Sequence, residues 1–357
     1  MDRSTQAALW VIATGVVAAG LYWFRDWITQ FALAMILWFA IDGLARRLDD
    51  LSPRMPRWLA LPIALALVLT LVAGVGVVVM QNVGDIAGRL AGQGARLNVL
   101  VADMYRILGI GGAPPTMDAM IAEADPAELL RTIGSALQGI VGDTVFILIY
   151  LGFLFSAAAQ LPSKLDIIYR KRDQRERARM VLTEIRTSME KYLLSQTIMS
   201  LLITGLTLAT LMIIGLPNAV FWAFLIFFLN YIPTVGSLMA VVLATLAAAV
   251  EFPTLGPVVA VAAGVGTWQF VIGNFIQPRF TGDSLNLSAV VVLLALALWG
   301  SLCGIAGAFL AAPLTVMLMV VLAQIEDARW IAVLLSADGK PKIFQRRVPD
   351  TAVNKDA

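Results

Sequence analysis

The residues with chemistry to offer are few, uncharged and gathered at breaks in long apolar stretches. Asn230-Tyr231-Ile232-Pro233-Thr234-Val235-Gly236 interrupts the stretch 219–250. Asn274, Gln277, Thr281, Asp283 and Asn286 surround Pro278 and Arg279. Gly300-Ser301-Leu302-Cys303-Gly304-Ile305-Ala306-Gly307 interrupts the stretch 287–323, with Pro313 beyond it. Amides and hydroxyls hold a solute by hydrogen bonds. Proline removes a backbone donor and glycine opens positive φ, so main-chain groups are freed at the same places. This is binding chemistry. Chemistry that breaks bonds has little to work with: the chain has no histidine and one cysteine, Cys303. That excludes a Ser-His-Asp triad, a histidine proton relay, a CxxC site and an internal disulfide. No GxxxxGK[ST] phosphate loop occurs. The expectation is a protein that is not an enzyme and takes no cofactor, metal or nucleic acid.

The elements that must position these residues belong to a bilayer. The chain is 59% hydrophobic and 14% charged, with mean hydropathy +0.83. No Asp, Glu, Lys or Arg occurs for 59 residues after Lys191, for 27 after Glu251, or for 42 after Asp283. A spanning helix needs about 20 apolar residues. Spans are predicted at 7–24, 27–41, 59–80, 143–160, 192–214 and 257–276, the first retained rather than cleaved as a signal peptide. Only Arg25 and Asp26 separate the first two, which predicts a tight hairpin.

The two interrupted segments suit neither one crossing nor two. If both re-enter and leave on the side they came from, six full spans remain, and the two tips meet near the midplane as an inverted repeat. Broken helices in corresponding positions point to a transport site, and irregular backbone at that depth survives only inside protein or beside a wet cavity. The alternative is one kinked span for each segment. On the hairpin reading, Asn230, Pro233, Thr234 and Gly236 shape one tip of a substrate site, and Gly300, Gly304 and Gly307 shape the other. Asn274, Gln277 and Pro278 link it to the cytoplasm. Each has a plainer reading beside it: Asn230 as a helix cap, Asp283 as the partner of Arg279, Glu251 as a solvated loop carboxylate.

Orientation follows the basic residues. Loop 42–58 carries Arg46, Arg47, Arg54 and Arg57, loop 161–191 carries nine Lys and Arg, and the tail six more. Segment 81–142 has four in 62 residues. Both termini are therefore expected in the cytoplasm of a bacterium, with 81–142 external to the inner membrane. Within that insert Asp125-Pro126-Ala127-Glu128 reads as a helix start. Gly84, Gly88 and Gly92 share a face that could serve close packing or a flexible exit. In loop 161–191, Ala178, Val181, Leu182, Ile185, Met189 and Tyr192 repeat at helical spacing, which predicts an amphipathic helix on the membrane surface. The organisation expected is all-α: 1–80 N-terminal spans, 81–142 external helical insert, 143–191 a span and the basic cytoplasmic helix, 192–325 the core with both hairpins, 326–357 a cytoplasmic tail.

Three stretches resemble signatures of the autoinducer-2 exporter family of permease-like membrane proteins. The first is Gly215-Leu216-Pro217-Asn218 with Asn230 to Gly236. The second is Gly273-Asn274-Phe275-Ile276-Gln277-Pro278-Arg279-Phe280-Thr281-Gly282. The third runs from Leu287-Ser288 through Trp299-Gly300, Gly304 and Gly307 to Ala312-Pro313-Leu314. The likeness covers roughly residues 5 to 325 and is specific from 191 onward. It implies a transporter of about eight membrane segments with re-entrant hairpins, assembled as a homo-oligomer, a pentamer by resemblance, exporting an autoinducer-2-like signal. Some relatives are similar to sodium(lithium)/proton antiporters. That second reading needs a carboxylate at depth, for which Asp42, Asp143, Glu251 and Asp283 are the candidates. A third reading is a scaffold or sensor that does not transport. The uncharged tips suit a small polar solute, moved by a gradient or passively, with the lipid bilayer as the other partner.

Overall fold

The computed structural model describes residues 19–51, 59–70, 126–281 and 286–339, with isolated positions 5, 12–13, 15–16, 74, 77 and 81–82; at 50–51, 126–142, 281 and 326 only the backbone is described. Among these residues every regular element is helical, apart from one isolated bridge between Leu287 and Ser336. We number the helices α1 (Arg25–Leu51), α2 (Leu59–Thr70), α3 (Pro126–Ile168), α4 (Arg172–Ile214), α5 (Ala219–Leu229), α6 (Val235–Glu251), α7 (Leu255–Val271), α8 (Gln277–Thr281), α9 (Ala289–Leu322) and α10 (Arg329–Leu335). A turn of π-helix, Ile272–Ile276, joins α7 to α8.

By length and composition five helical stretches could cross a membrane, Arg25–Asp49, Asp143–Ile168, Arg172–Ile214, Leu255–Phe280 and Ala289–Leu322, the last of which folds back at Gly304. Large apolar side chains stand outward along them, with Phe153 71% and Ile213 85% exposed. Helices satisfy their own backbone and so can meet hydrocarbon on such faces. The chain is an all-α polytopic membrane protein.

Eight of the eighteen residues of the expected span 7–24 lie outside the described residues, as do the glycine face Gly84, Gly88 and Gly92, the residue Asp125, the pair partner Asp283 and the tail beyond 339. Arg25 and Asp26, the residues expected to separate the first two spans, are the first residues of α1, and the one non-helical residue described before them is Phe24, with Phe24 N–H to Gly20 carbonyl and Ile28 N–H to Phe24 carbonyl bonds of 2.9 and 3.0 Å. The span expected at 27–41 continues to Leu51, and Asp42 and Arg46 pair one turn apart at 3.1 Å on the extension.

The basic helix expected in loop 161–191 is not a separate surface element. It and the following span form one uninterrupted helix of 43 residues, α4. No proline or glycine falls between Arg172 and Ser200 to break it. The actual break lies earlier, at Tyr169–Lys171, where Arg175 and Arg179 both close on Asp166 at 3.4 and 2.7 Å. At its other end α4 stops at Gly215, whose φ of 82° lets Gly215 N–H reach the Met212 carbonyl and Leu216 N–H reach the Leu211 carbonyl. This is a Schellman cap, and Pro217 follows as a further stop.

The chain divides into two compact units. One comprises Met1–Phe39, Ile149–Leu193 and Thr281–Ala357; the other comprises Ala40–Leu148 and Leu194–Phe280. In the second unit a core joins Met199, Ile203 and Leu211 of α4 to Ile226 of α5, Ala240, Ala244 and Ala248 of α6, and Val261 and Val265 of α7. Helix α6 presents Gly236, Ala240, Ala244 and Ala248, all buried and four apart. Such a row of small residues lets backbones approach closely where lipid gives no hydrophobic drive to association. A Cβ on Gly264 of α7 would stand 2.6 Å from the Thr210 methyl of α4.

In the first unit α9 looks continuous but reverses. Gly304 has φ 63° and ψ −147°, outside the helical region. Trp299 Nε1 donates to Thr315 Oγ1, sixteen residues on, at 3.2 Å. A straight helix would separate those residues by about 24 Å. A Cβ on Gly307 would overlap the Trp299 carbonyl oxygen, and one on Gly300 would touch the Ala308 methyl. Leu287 and Leu322, the two ends of the segment, pack on the same small cluster of Met319, Ala323 and Ala332. Segment 287–323 is therefore a hairpin of two helical arms, and the kinked-span alternative is excluded for it.

Candidate functional site

The first hairpin turns within five residues. Asn230 closes α5 with helical angles, and its N–H donates to the Ile226 carbonyl at 3.0 Å. Tyr231 and Ile232 donate to Phe228 and Leu229, tightening the end of the helix. Pro233 cannot donate, and the next N–H able to reach back is Val235, which bonds the Pro233 carbonyl at 2.6 Å across Thr234. Thr234 thus sits at the centre of a γ-turn, with φ 63° and ψ −55°. A side chain rarely tolerates that conformation, and it stores strain of about 1–3 kcal/mol. The sequence pointed to Gly236 for positive φ, and this is corrected: Thr234 takes it. Gly236 is needed for space, because a Cβ there would overlap the Leu229 carbonyl oxygen.

Amides converge on this turn from three other elements. Gln196 Nε2 of α4 donates to the Asn230 carbonyl at 2.6 Å. Gln269 Nε2 of α7 donates to Asn230 Oδ1 at 3.0 Å. Gln277 Nε2 of α8 reaches Gln196 Oε1 at 3.5 Å. Thr197 and Tyr231 share a hydroxyl–hydroxyl bond of 2.7 Å. Asn230 is 9% exposed, yet its Nδ2 has no partner among the described residues. An unpaired buried amide donor costs roughly 1–3 kcal/mol. It is the group in the cluster free to meet a solute oxygen. No charged side chain takes part in these bonds.

The other expected site residues fall differently. Pro233 and Thr234 shape the turn beside Asn230, and Thr234 is exposed. Gln277 joins the cluster. Asn274 turns back on its own helix, donating to the Phe270 carbonyl at 2.9 Å, and it and Pro278 are exposed. Gly300, Gly304 and Gly307 build the second reversal, within the other unit. Gln196 and Gln269 were missed. Their signal was present, since a glutamine inside an apolar span is expensive unless it has work to do. Of the carboxylates considered for a cation relay, Asp42 pairs with Arg46 and Asp143 is exposed. Glu251 ends α6 half-buried, and Asp283 is outside the described residues.

Comparison with known proteins gives the chain a family. Residues 11–327 match the family described as AI-2E family transporter. The Escherichia coli K12 protein named "AI-2 transport protein TqsA" is 26% identical, covering 90% of this chain and 92% of its own length. A Haemophilus influenzae Rd protein named "Putative transport protein" is 25% identical over 92% of this chain and 95% of its own. "Putative transport protein YhhT" of E. coli K12 is 23% identical over 92% and 93%. A multi-pass membrane protein with helical hairpins and a match over nearly its whole length, this chain belongs to the AI-2E family of transporters.

Proposed function

We propose that the protein is a secondary transporter that exports a small, polar, uncharged solute of the autoinducer-2 type, gradient-driven or passive, and that the solute binds at the first hairpin's turn. The observation that carries this is Asn230. It is a buried amide in a charge-free segment, placed by a strained turn and braced by two glutamines, and its Nδ2 with both N–H donors is left over. Strain of that kind persists where the surrounding structure holds it for a purpose. Asn230, Gln196, Gln269 and Gln277 would hold the solute, and Pro233, Thr234 and Gly236 would hold the turn. Gly300, Gly304 and Gly307 would let the second hairpin serve as a moving arm.

The name of the E. coli relative supports the solute class. The basic residues of 42–58, 161–191 and the tail support an inner-membrane orientation with both termini cytoplasmic. A homo-oligomeric assembly belongs to the same proposal.

The test is export of autoinducer-2 from E. coli lacking TqsA and carrying this chain. The full chain should raise the external-to-internal ratio, and Asn230→Leu, at equal membrane abundance, should return it to the empty-vector value. A ratio unchanged by the full chain rejects the solute. A ratio raised equally by Asn230→Leu rejects the site.

A further inference from the structure

Helix α4 carries hydroxyls at Thr197, Ser200, Thr204, Thr207 and Thr210. The intervals of three and four residues put all five on one face of the helix. The two ends of the row are tied. Thr197 bonds the Tyr231 hydroxyl at 2.7 Å. Thr210 donates to the Leu206 carbonyl at 2.9 Å and accepts from the Trp268 indole at 3.0 Å. The three between are not: Ser200 Oγ, Thr204 Oγ1 and Thr207 Oγ1 are buried and have no hydrogen-bond partner among the described residues. Ser200 and Thr207 are fully enclosed, at 0% exposure.

A hydroxyl inside a helix has an easy local partner, the carbonyl four residues earlier. Thr29, Thr183, Thr245 and Thr315 of this chain all use it, at 2.7 to 2.9 Å. Ser200, Thr204 and Thr207 do not. Leaving a buried hydroxyl unpaired is less favourable than replacing it by a methyl group. Three in succession on one face, rising about 10 Å along the helix, are hard to explain as packing. The row starts where Gln196 and Thr197 meet the Asn230 turn, whose own Nδ2 is also unpaired.

We infer that Ser200, Thr204 and Thr207 line a polar path leading away from Asn230, and that this path takes an uncharged solute bearing several hydroxyl or carbonyl groups. The inference rests on the transporter reading and deepens it. A hydroxyl both donates and accepts. A row of them can pass a hydroxylated molecule from one set of hydrogen bonds to the next without ever offering a fixed charge. A cation would want carboxylates, and 192–250 and 252–278 contain none.

The first test needs no substrate. In the full-length Cys303→Ser protein in membrane vesicles, Ser200→Cys, Thr204→Cys and Thr207→Cys are exposed to 2-hydroxyethyl methanethiosulfonate and to its trimethylammonium-ethyl and sulfonatoethyl analogues. Met199→Cys, one residue around the helix and 1% exposed, is the control. The three row positions should react with the neutral reagent at least about tenfold faster than the control, and faster than with either charged one. Reaction no faster than at Met199→Cys overturns the path. Equal reaction with the cationic reagent overturns the restriction to uncharged solutes.

The second test combines Ser200→Ala with Thr204→Val and Thr207→Val and reads both thermal midpoint and autoinducer-2 export. Removing unpaired hydroxyls should leave the midpoint unchanged or higher. Export should fall about tenfold or more, as two or three lost hydrogen bonds imply. A lowered midpoint with export intact marks a packing role and overturns the inference. The two readings fail separately. Labelling of the row with no export by the unsubstituted chain rejects the solute and keeps the path, whereas export lost in Asn230→Leu but unlabelled row positions rejects the path and keeps the site.

Discussion

The two hairpins reverse the chain by opposite means. The first uses five non-helical residues, a proline and a strained γ-turn at Thr234. The second uses one glycine, Gly304, between arms that otherwise stay helical. The longer break frees main-chain groups, and amides from α4 and α7 collect around them. At the shorter break the side-chain bonds described stay within its own two arms. Ser301 bonds back to the Leu298 carbonyl at 2.9 Å, and Trp299 bonds Thr315, which itself bonds Ala311. The first reversal is left polar, with the buried Asn230 Nδ2 unpaired, and the second is closed around a single glycine. What they share is a glycine where the arms touch: Gly236 against Leu229 and Gly307 against Trp299.

That shared feature offers the strongest break. Gly236→Val and Gly307→Val each drive a side chain into a backbone carbonyl. Each should lose more than the roughly 1–3 kcal/mol of ordinary overpacking, read as loss of the monodisperse peak in detergent. A folded Gly307→Val protein would show that the second segment is not a hairpin. Next, Gly304→Ala should lose about 1–3 kcal/mol because only glycine is at ease at its φ and ψ, seen as a lower thermal midpoint. Gln269→Leu, which leaves Asn230 Oδ1 unpaired, should cost a similar 1–3 kcal/mol and also abolish export. Thr234→Gly goes the other way, relieving the γ-turn and stabilising by about 1 kcal/mol; a loss of export there would separate the strain from the fold. Smallest is Trp299→Phe, which should cost about 1 kcal/mol of hydrogen bond and leave export unchanged.

Sequence reading reached the breaks because proline and glycine act locally. Pro233 cannot donate wherever it is placed, and the charge-free runs on either side admit few environments. It reached less of what depends on partners distant in sequence. Gln196 and Gln269 lie 34 and 39 residues from Asn230, and nothing in their own neighbourhoods says where they point. The merging of the basic helix with the span into α4 was misjudged for a related reason. A change from charged to apolar composition was taken for a boundary, but a helix ends only where its backbone bonding does. Gly236 shows the same limit. Its presence at the turn was read as a need for unusual angles, while the true demand, room beside Leu229, appears only once α5 and α6 are packed.

The small bridge beside the second hairpin bears on the order in which the protein can be made. Ser288 N–H bonds the Leu335 carbonyl, Ala337 N–H bonds the Asn286 carbonyl, and Asn286 Nδ2 bonds Asp338 at 2.8 Å. The first residues of the hairpin are therefore fastened to residues synthesised about fifty positions later. A chain emerging from the ribosome can insert the first hairpin as soon as Glu251 has left, but it must hold the second unfastened until α10 has been translated. A premature stop just after Leu322 would release a protein with every long apolar segment present and its last hairpin unlatched.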